Sequence, residues 1–274
     1  MNTKQNNISQ NASTDFGRVA VLCGGPGNER EVSLQSGSAV LAALLKRNVD
    51  AFLVDGVEAL VSAIHAKKVD RVFNILHGGA GENGEVQGLL SALAVPCTGC
   101  SLAAAALSMD KVRSKLVWQA RQLPTTDFVA VAQGQAVVAD DVVNKLGLPV
   151  IVKPAQEGST VGVERVYDAA QLKAAVEQAL RFDTVALIEP LIDGVDVTIT
   201  ILNGEALPSV RIEPSSGFYD YHAKYLAEDT GYYCPGVEKS EEIQLQSLAL
   251  AAFEALGCSG WGRVDFMRRV DGRY

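Results

Sequence analysis

The chain of 274 residues is 48% hydrophobic and 20% charged, with a net charge of −8 and a sequence pI of about 5.0. That acidity excludes nucleic acid and anionic membrane as its main partner, while leaving room for a local basic site that takes a small anion. No apolar run is long enough to span a bilayer, and five scattered cysteines, odd in number, fit a reducing cytoplasm.

Residues 1–17, MNTKQNNISQNASTDFG, are polar and lack the apolar core of a secretory signal; they read as a disordered tail, or in part an expression remnant. Val19–Cys23 is a short apolar strand ending at Gly24-Gly25. A helix follows, with Val40, Leu41, Leu44 and Leu45 at helical spacing. Val69–Leu76 is a second strand, ending at His77-Gly78-Gly79, and Val86, Leu89, Leu90 and Leu93 mark the next helix. Strands alternating with helices predict an open parallel α/β unit over residues 18–110, with ligand loops at the carboxyl ends of its strands.

The pattern then changes. Val150–Pro154 predicts a strand, Ala155–Gly162 a loop, and Gly162–Val166 a returning strand. Asp168 caps a helix whose inward face is Leu172, Val176 and Leu180, and Val185–Ile192 is the following strand. Together these predict a small α+β unit over residues 111–196. Val197–Leu202 and Ala206–Ile212 pair antiparallel across Asn203-Gly204. Residues 213–239 read as a long loop carrying Tyr219, Tyr221, Lys224 and Tyr225, and a loop of that length inside a compact unit is usually functional. A helix from Ser240, with Leu245, Leu248, Ala252 and Leu256 inward, stops at Gly257. Trp261–Met267 is a strand with Val264 and Phe266 on one face and Arg263 and Asp265 on the other. Asp271-Gly272 supplies a hairpin turn and Arg273-Tyr274 starts a return, within a third unit over residues 197–274.

Two motifs carry less than they promise. Gly79-Ala-Gly-Glu-Asn-Gly84 is a literal G-x-G-x-x-G, but Glu82 and Glu85 would repel a pyrophosphate, and no acidic residue stands at the ribose distance. Cys97-Thr-Gly-Cys100 is formally C-x-x-C without a second pair for zinc, and reads as two incidental small residues. The stretch Glu157-Gly-Ser-Thr-Val-Gly162 says more. Gly158, Ser159 and Thr160 can offer backbone N–H groups and hydroxyls to phosphate oxygens, and Lys153 stands at the root of that loop. A glycine-rich hairpin alone is commonly just a turn; the carboxylates Glu189, Asp196 and Asp265 on later strands favour ribose contacts and a divalent cation, and Arg263 can hold a developing oxyanion.

The stretches GNEREVSLQSG, NILHGGAGENGEVQGLL, ALSMDKVRSKLVWQ, GLPVIVKPAQEGSTVGV, LPSVRIEPSSGFYDYHAKY and LGCSGWGRVDFM, in that order, closely resemble the bacterial D-alanine–D-alanine ligases of the ATP-grasp superfamily. The resemblance runs from about Arg18 to Tyr274 and implies an ATP-grasp fold after the first α/β unit. It also implies ATP-dependent formation of D-alanyl-D-alanine through an acyl phosphate, with magnesium or manganese, in a cytoplasmic homodimer serving peptidoglycan synthesis. Carried over by motif, Glu29 holds the ammonium of the first D-alanine and His77 lies beside it. The bland reading of Glu29, a carboxylate favoured at a helix N-terminus, is compatible with that role. Lys111 and Lys153 contact nucleotide phosphates, with Gly158, Ser159 and Thr160 in the loop that follows Lys153. Ser159 bridges Glu29 and Tyr225, and Lys224 reaches the γ-phosphate. Glu189, Leu191 and Asp196 meet the adenosine, Arg263 the tetrahedral oxyanion, and Asp265 the metal.

The sequence departs from the family pattern at three points. Pro190 and Leu191 stand where the family has a lysine and a large apolar residue, and Asp196 stands where it has a glutamate. The family also continues past the Asp271-Gly272 turn with a Glu-x-Asn pair that completes its metal site. The expectation is therefore of a fragment or truncated product with an incomplete ATP-grasp fold and poor ligase activity. Two rival expectations stand beside ligation of two D-alanines. One is a related carboxylate–amine ligase such as a D-alanine–D-lactate ligase; the other is an inactive chain that binds nucleotide weakly or serves as a dimerisation partner.

Overall fold

A computed structural model describes residues 15–27, 29–214, 227 and 229–274. Its first sheet comprises β1 (Val19–Cys23), β2 (Ala51–Asp55) and β3 (Arg71–Asn74), parallel, in the order β2-β1-β3. All of β1 is buried because it is the middle strand and both its faces are covered. The helices are α1 (Arg30–Lys46), α2 (Gly56–His65), α3 (Glu85–Ala92) and α4 (Leu102–Met109). Leu22, Leu60, Val72, Val86 and Leu90 form the core of this part.

The seat of α1 differs from expectation. Its buried residues are Ser33 and Gly37, and Leu45 is exposed. A Cβ on Gly37 would lie 2.7 Å from the Cys23 Sγ, so the helix approaches β1 too closely for large side chains. The Ser33 hydroxyl donates to the Ile75 carbonyl (2.8 Å) and accepts from the Gly24 N–H (3.0 Å). These two bonds fix the start of α1 above the ends of β1 and β3. Phe16, within the stretch expected to be a tail, accepts from Arg71 Nε with its carbonyl (3.0 Å).

The second sheet is antiparallel throughout. After α5 (Lys111–Ala120) come β4 (Val129–Ala132), α6 (Ala139–Leu146), β5 (Val150–Pro154), β6 (Glu164–Val166), α7 (Leu172–Ala179) and β7 (Val185–Pro190), with strand order β4-β7-β5-β6. Asp168 caps the approach to α7 in a reciprocal box with Gln171. Val150, Val152, Val166, Leu172 and Ile188 pack on one face of the sheet. Ile151 and Lys153 alternate to the other.

The third sheet contains β8 (Gly194–Leu202), β9 (Glu205–Ala206), β10 (Val210–Glu213), β11 (Gly231–Tyr233) and β12 (Trp261–Arg269), in the order β11-β10-β8-β12 with β9 on β8. Val197, Ile199 and Ile201 face Leu245, Ala249 and Phe253 of α8 (Lys239–Ala255). The single strand expected over Ala206–Ile212 is two strands, and β11 lies in what read as loop. Pro208 has no N–H to give a ladder, and the Ser209 N–H goes to Glu242 Oε1 instead (2.7 Å). As expected, Val264 and Phe266 turn inward while Arg263 and Asp265 are exposed. The turn after β12 closes with Gly272 N–H on the Arg269 carbonyl (2.9 Å), and Tyr274 meets Phe266 edge-on with centroids 6.0 Å apart.

Candidate active site

Three groups of side chains converge, each supplied by one sheet. Glu29 stands at the N-cap position of α1, at the carboxyl ends of the parallel strands, without a side-chain cap bond. Its Oε1 accepts the Ser159 hydroxyl, a bond between residues 130 apart in sequence that joins the first sheet to the glycine-rich loop of the second. Its Oε2 lies 2.9 Å from where a Cβ on Gly78 would stand, and Gly78 has φ +67, so only glycine fits there. Beside it, His77 buries its Nε2, which has no hydrogen-bond partner among the described residues. Glu82, passed over as part of an unconvincing motif, shares this corner; burial and the Glu29 charge raise its carboxyl pKa, against the Gly78 N–H. Arg30 grips Asp55 with two N–H groups (2.7 Å each), and Asp55 also accepts the Gly25 N–H (3.0 Å). The Arg30 and Gly25 bonds hold the Asp55 carboxyl down at about 2 and brace the loop that presents Glu29.

The loop between β5 and β6 is held at its root. Lys111 directs its ammonium at the carbonyls of Pro154 (3.3 Å), Ala155 (3.2 Å) and Glu157, and its own N–H bonds to Ala155 (3.0 Å). Burial and then the charge of Lys153 bring its pKa down to about 8. Ser159 (φ 48) and Thr160 (φ 66) are both left-handed, which costs a side chain about 1–2 kcal/mol each. Gly162 (φ 66) fits because a Cβ there would meet Phe182 at 2.7 Å and Pro154 at 2.9 Å.

Lys153 and Glu189 form an ion pair between β5 and β7. The other carboxylate oxygen of Glu189 takes Lys115 (3.0 Å) and the Thr126 hydroxyl (3.2 Å). Burial alone would raise the Glu189 pKa; Lys153 and Lys115 outweigh it and hold it at about 2. Lys115 and Thr126 escaped the sequence reading. The available signal was spacing, since Lys111 and Lys115 stand one helical turn apart and so share a face of α5. Leu191 follows β7, with its N–H on the Pro149 carbonyl (3.0 Å).

On the third sheet, Asp196 and Thr198 of β8 share a face with Arg263 and Asp265 of β12, through the pairs Thr198↔Asp265 and Thr200↔Arg263. Arg263 binds Asp265 through Nε (2.8 Å) and Nη2 (3.0 Å), and the Thr198 hydroxyl donates to Asp265 Oδ1 (2.7 Å). Among the described residues no cluster of three His, Cys, Asp or Glu side chains could hold an ion. Magnesium commonly takes only one or two protein carboxylates, with the remainder from water and phosphate, so Asp265 fits as a single ligand. Lys224 and Tyr225 lie outside the described residues. The arrangement thus offers a carboxylate anchor for a cation, a loop and lysines for an anion, and a guanidinium–carboxylate pair on an open strand face.

Two family models match the chain: "D-ala D-ala ligase N-terminus" over residues 56–100 and "D-ala D-ala ligase C-terminus" over residues 117–274. The chain is 56% identical over 256 residues to D-alanine–D-alanine ligase B of Xanthomonas campestris pv. campestris, covering 92% of this chain and 80% of that protein. It resembles the crystal structure of the Bacillus anthracis D-alanine–D-alanine ligase complexed with ATP at a TM-score of 0.80 and 29% identity, covering 92% and 82% of the two chains. The VanG D-Ala:D-Ser ligase of Enterococcus faecalis superposes at a TM-score of 0.78 with 28% identity, covering 93% and 87%.

Proposed function

This chain belongs to the D-alanine–D-alanine ligase family, and from that premise we propose how its residues divide the work. The family activity is the ATP-dependent, ADP-forming joining of two D-alanines, a step of peptidoglycan synthesis. A carboxylate oxygen of the first D-alanine attacks the γ-phosphorus of ATP, ADP leaves, and an acyl phosphate remains. The amine nitrogen of the second D-alanine bonds to the acyl carbon, loses a proton and expels phosphate. We place the reaction in the cytoplasm, where ATP is supplied. The boundary expected at residues 196/197 falls inside β8, so the proposed units are residues 18–110 for the amino acid and residues 111–193 and 194–274 for the nucleotide, assembled as the homodimer the family resemblance implies.

Glu29 anchors the ammonium of the first D-alanine, with His77 beside it. Gly158, Ser159 and Thr160, held by Lys111, line the phosphates, and Lys153 meets them from β5. Glu189, Leu191 and Asp196 bound the adenosine. Arg263 stabilises the tetrahedral oxyanion, for which its planar N–H donors are suited. Asp265 would hold magnesium or manganese, which when bound neutralises phosphate charge. Lys224 and Tyr225 are assigned from the resemblance alone, as groups that exclude water from the acyl phosphate. The observation that carries this reading is the Ser159–Glu29 hydrogen bond, because it brings the amino-acid end and the phosphate loop into one site. The test is ADP release coupled to dipeptide detection. Release should require D-alanine, and Glu29→Gln should raise the KM for D-alanine while sparing that for ATP; release that ignores D-alanine sinks the assignment. The likeness to a D-Ala:D-Ser ligase supports a second reading, a different second substrate. Product analysis with D-alanine against D-serine and D-lactate decides it.

A further inference from the structure

Lys115 is far more buried than Lys153, with 7% of its side chain exposed against 23%, and Glu189 between them is 14% exposed. Its three donors are spent on Glu189 Oε2 (3.0 Å), Thr125 Oγ1 (2.8 Å) and Thr126 Oγ1 (2.7 Å). Lys153 meets the opposite oxygen of the same carboxylate. Two cations therefore serve one anion. One of them is locked by three acceptors, and the other is the more exposed. A buried carboxylate left without a cation is strongly unfavourable, so a lone lysine on Glu189 could not turn to a phosphate without stranding it.

We propose that Lys115 is a positioning residue for nucleotide binding: it holds Glu189 ionised and in place so that Lys153 can leave Glu189 for a phosphate oxygen. This rests on the reading of the Lys153–Glu189 cleft as the ATP site. Lys153 is the more exposed of the two cations, while Lys115 and Glu189 make a neutral pair. The charged groups facing Glu189 are Lys153 from β5 and Lys115 from α5, with Lys111 of α5 further off and Asp127 beyond Lys115 on the approach to β4. Removing Lys115 deletes one of the two nearest cations, and nucleotide binding then diverts the other. Glu189 must take up a proton in the bound state, so nucleotide affinity gains a dependence on pH, tightening as pH falls.

The test is calorimetric titration of the whole chain with ADP in two buffers of different ionisation enthalpy, which reports protons taken up on binding. Lys115→Met should bind ADP about tenfold more weakly at pH 7, with proton uptake in excess of the wild type's. Adding Glu189→Gln to Lys115→Met should recover part of that affinity, because no carboxylate is then stranded. Thr126→Val, which removes one acceptor of Lys115 and one donor to Glu189, should shift affinity and proton uptake in the same direction by less. It serves if Lys115→Met fails to fold. Weaker binding by both variants without extra proton uptake would make Lys115 a merely structural residue and overturn the proposal. Lys153→Ala separates the two layers. If it leaves ADP affinity unchanged, the cleft is not the ATP site and the proposal falls with it. If it weakens ADP while Lys115→Met and Thr126→Val match the wild type, the positioning role alone is wrong.

Discussion

Replacing Ser159 by alanine tests the link between the amino-acid corner and the phosphate loop. The hydroxyl donates to Glu29, so the bond is charge-assisted, a type that contributes about 1.5–3 kcal/mol in a buried setting. Both residues are only half-buried, which brings the expectation to about 1–2 kcal/mol, or roughly 5–30-fold in a rate or equilibrium constant. Glu29 keeps its seat against Gly78 but loses the bond from Ser159. The loss should fall on kcat/KM for D-alanine, because the carboxylate is no longer aimed, while the KM for ATP stays within about twofold. The assay is steady-state ADP release with each substrate varied at saturating amounts of the other. A companion variant, Gly78→Ala, places a methyl 2.9 Å from Glu29 Oε2 and should produce the same selective defect. Equal losses for both substrates in Ser159→Ala would show that the hydroxyl shapes only the phosphate loop. No loss in either would remove the bond from the mechanism.

Three further outcomes are expected. Lys111 titrates at about 8, below its ordinary 10.5, so it is cationic at neutral pH and neutral above pH 8, and its hold on the Pro154, Ala155 and Glu157 carbonyls weakens there. The KM for ATP should rise above pH 8, and Lys111→Arg, charged throughout, should flatten that limb. The unfolded chain keeps this proton up to about 10.5, so the same group makes folding stability rise with pH between those values, as urea titrations can measure. Arg263→Lys should lower kcat by about 100-fold or more without moving the thermal midpoint, because the Arg263–Asp265 pair is more than half exposed and adds little stability; a large fall in the midpoint would make the pair structural. Gly262→Ala puts a methyl 2.6 Å from the Phe253 ring and should cost about 1–3 kcal/mol in urea unfolding, and a neutral result would mean that α8 yields easily.

Where apolar blocks end abruptly, the fold was legible. Val150–Pro154 is β5 as read, since alternating buried valines meet a proline that ends the strand, and Asp168 announces its cap. β2 and α2 were missed because Ala51-Phe-Leu-Val-Asp55 runs into another apolar stretch. The one break is Gly56 at φ +77, and that is a property of the backbone rather than of composition. The face of α1 misled because burial there goes to Ser33 and Gly37, the residues small enough for close approach, and periodicity counts large ones. β11 is three residues long and pairs only through tertiary contact with β10. At the site, Arg263 and Asp265 were legible together because strand alternation alone puts them on one face. Lys115 was not, because a lysine on a helix looks solvated until the threonines and carboxylate around it are known. Chemistry that depends on burial is the part a sequence hides.

The register of β8 against β12 carries a consequence for synthesis on the ribosome. Leu202 pairs with Trp261 and Gly194 with Arg269, so β8 has no partner on that side until the last of β12 has left the exit tunnel. The first sheet, by contrast, needs nothing beyond Asn74, apart from the bridge from Val72 to Cys97. The nascent chain can therefore settle its amino-acid corner early, as amino-terminal parts commonly do. Val197, Ile199 and Ile201 meanwhile lack β12 beside them, and transiently exposed apolar surface of that kind favours aggregation. The strand face that bears Arg263 and Asp265 assembles only once β12 has emerged, so a chain stalled before it would hold a formed carboxylate anchor without the means to perform any chemistry.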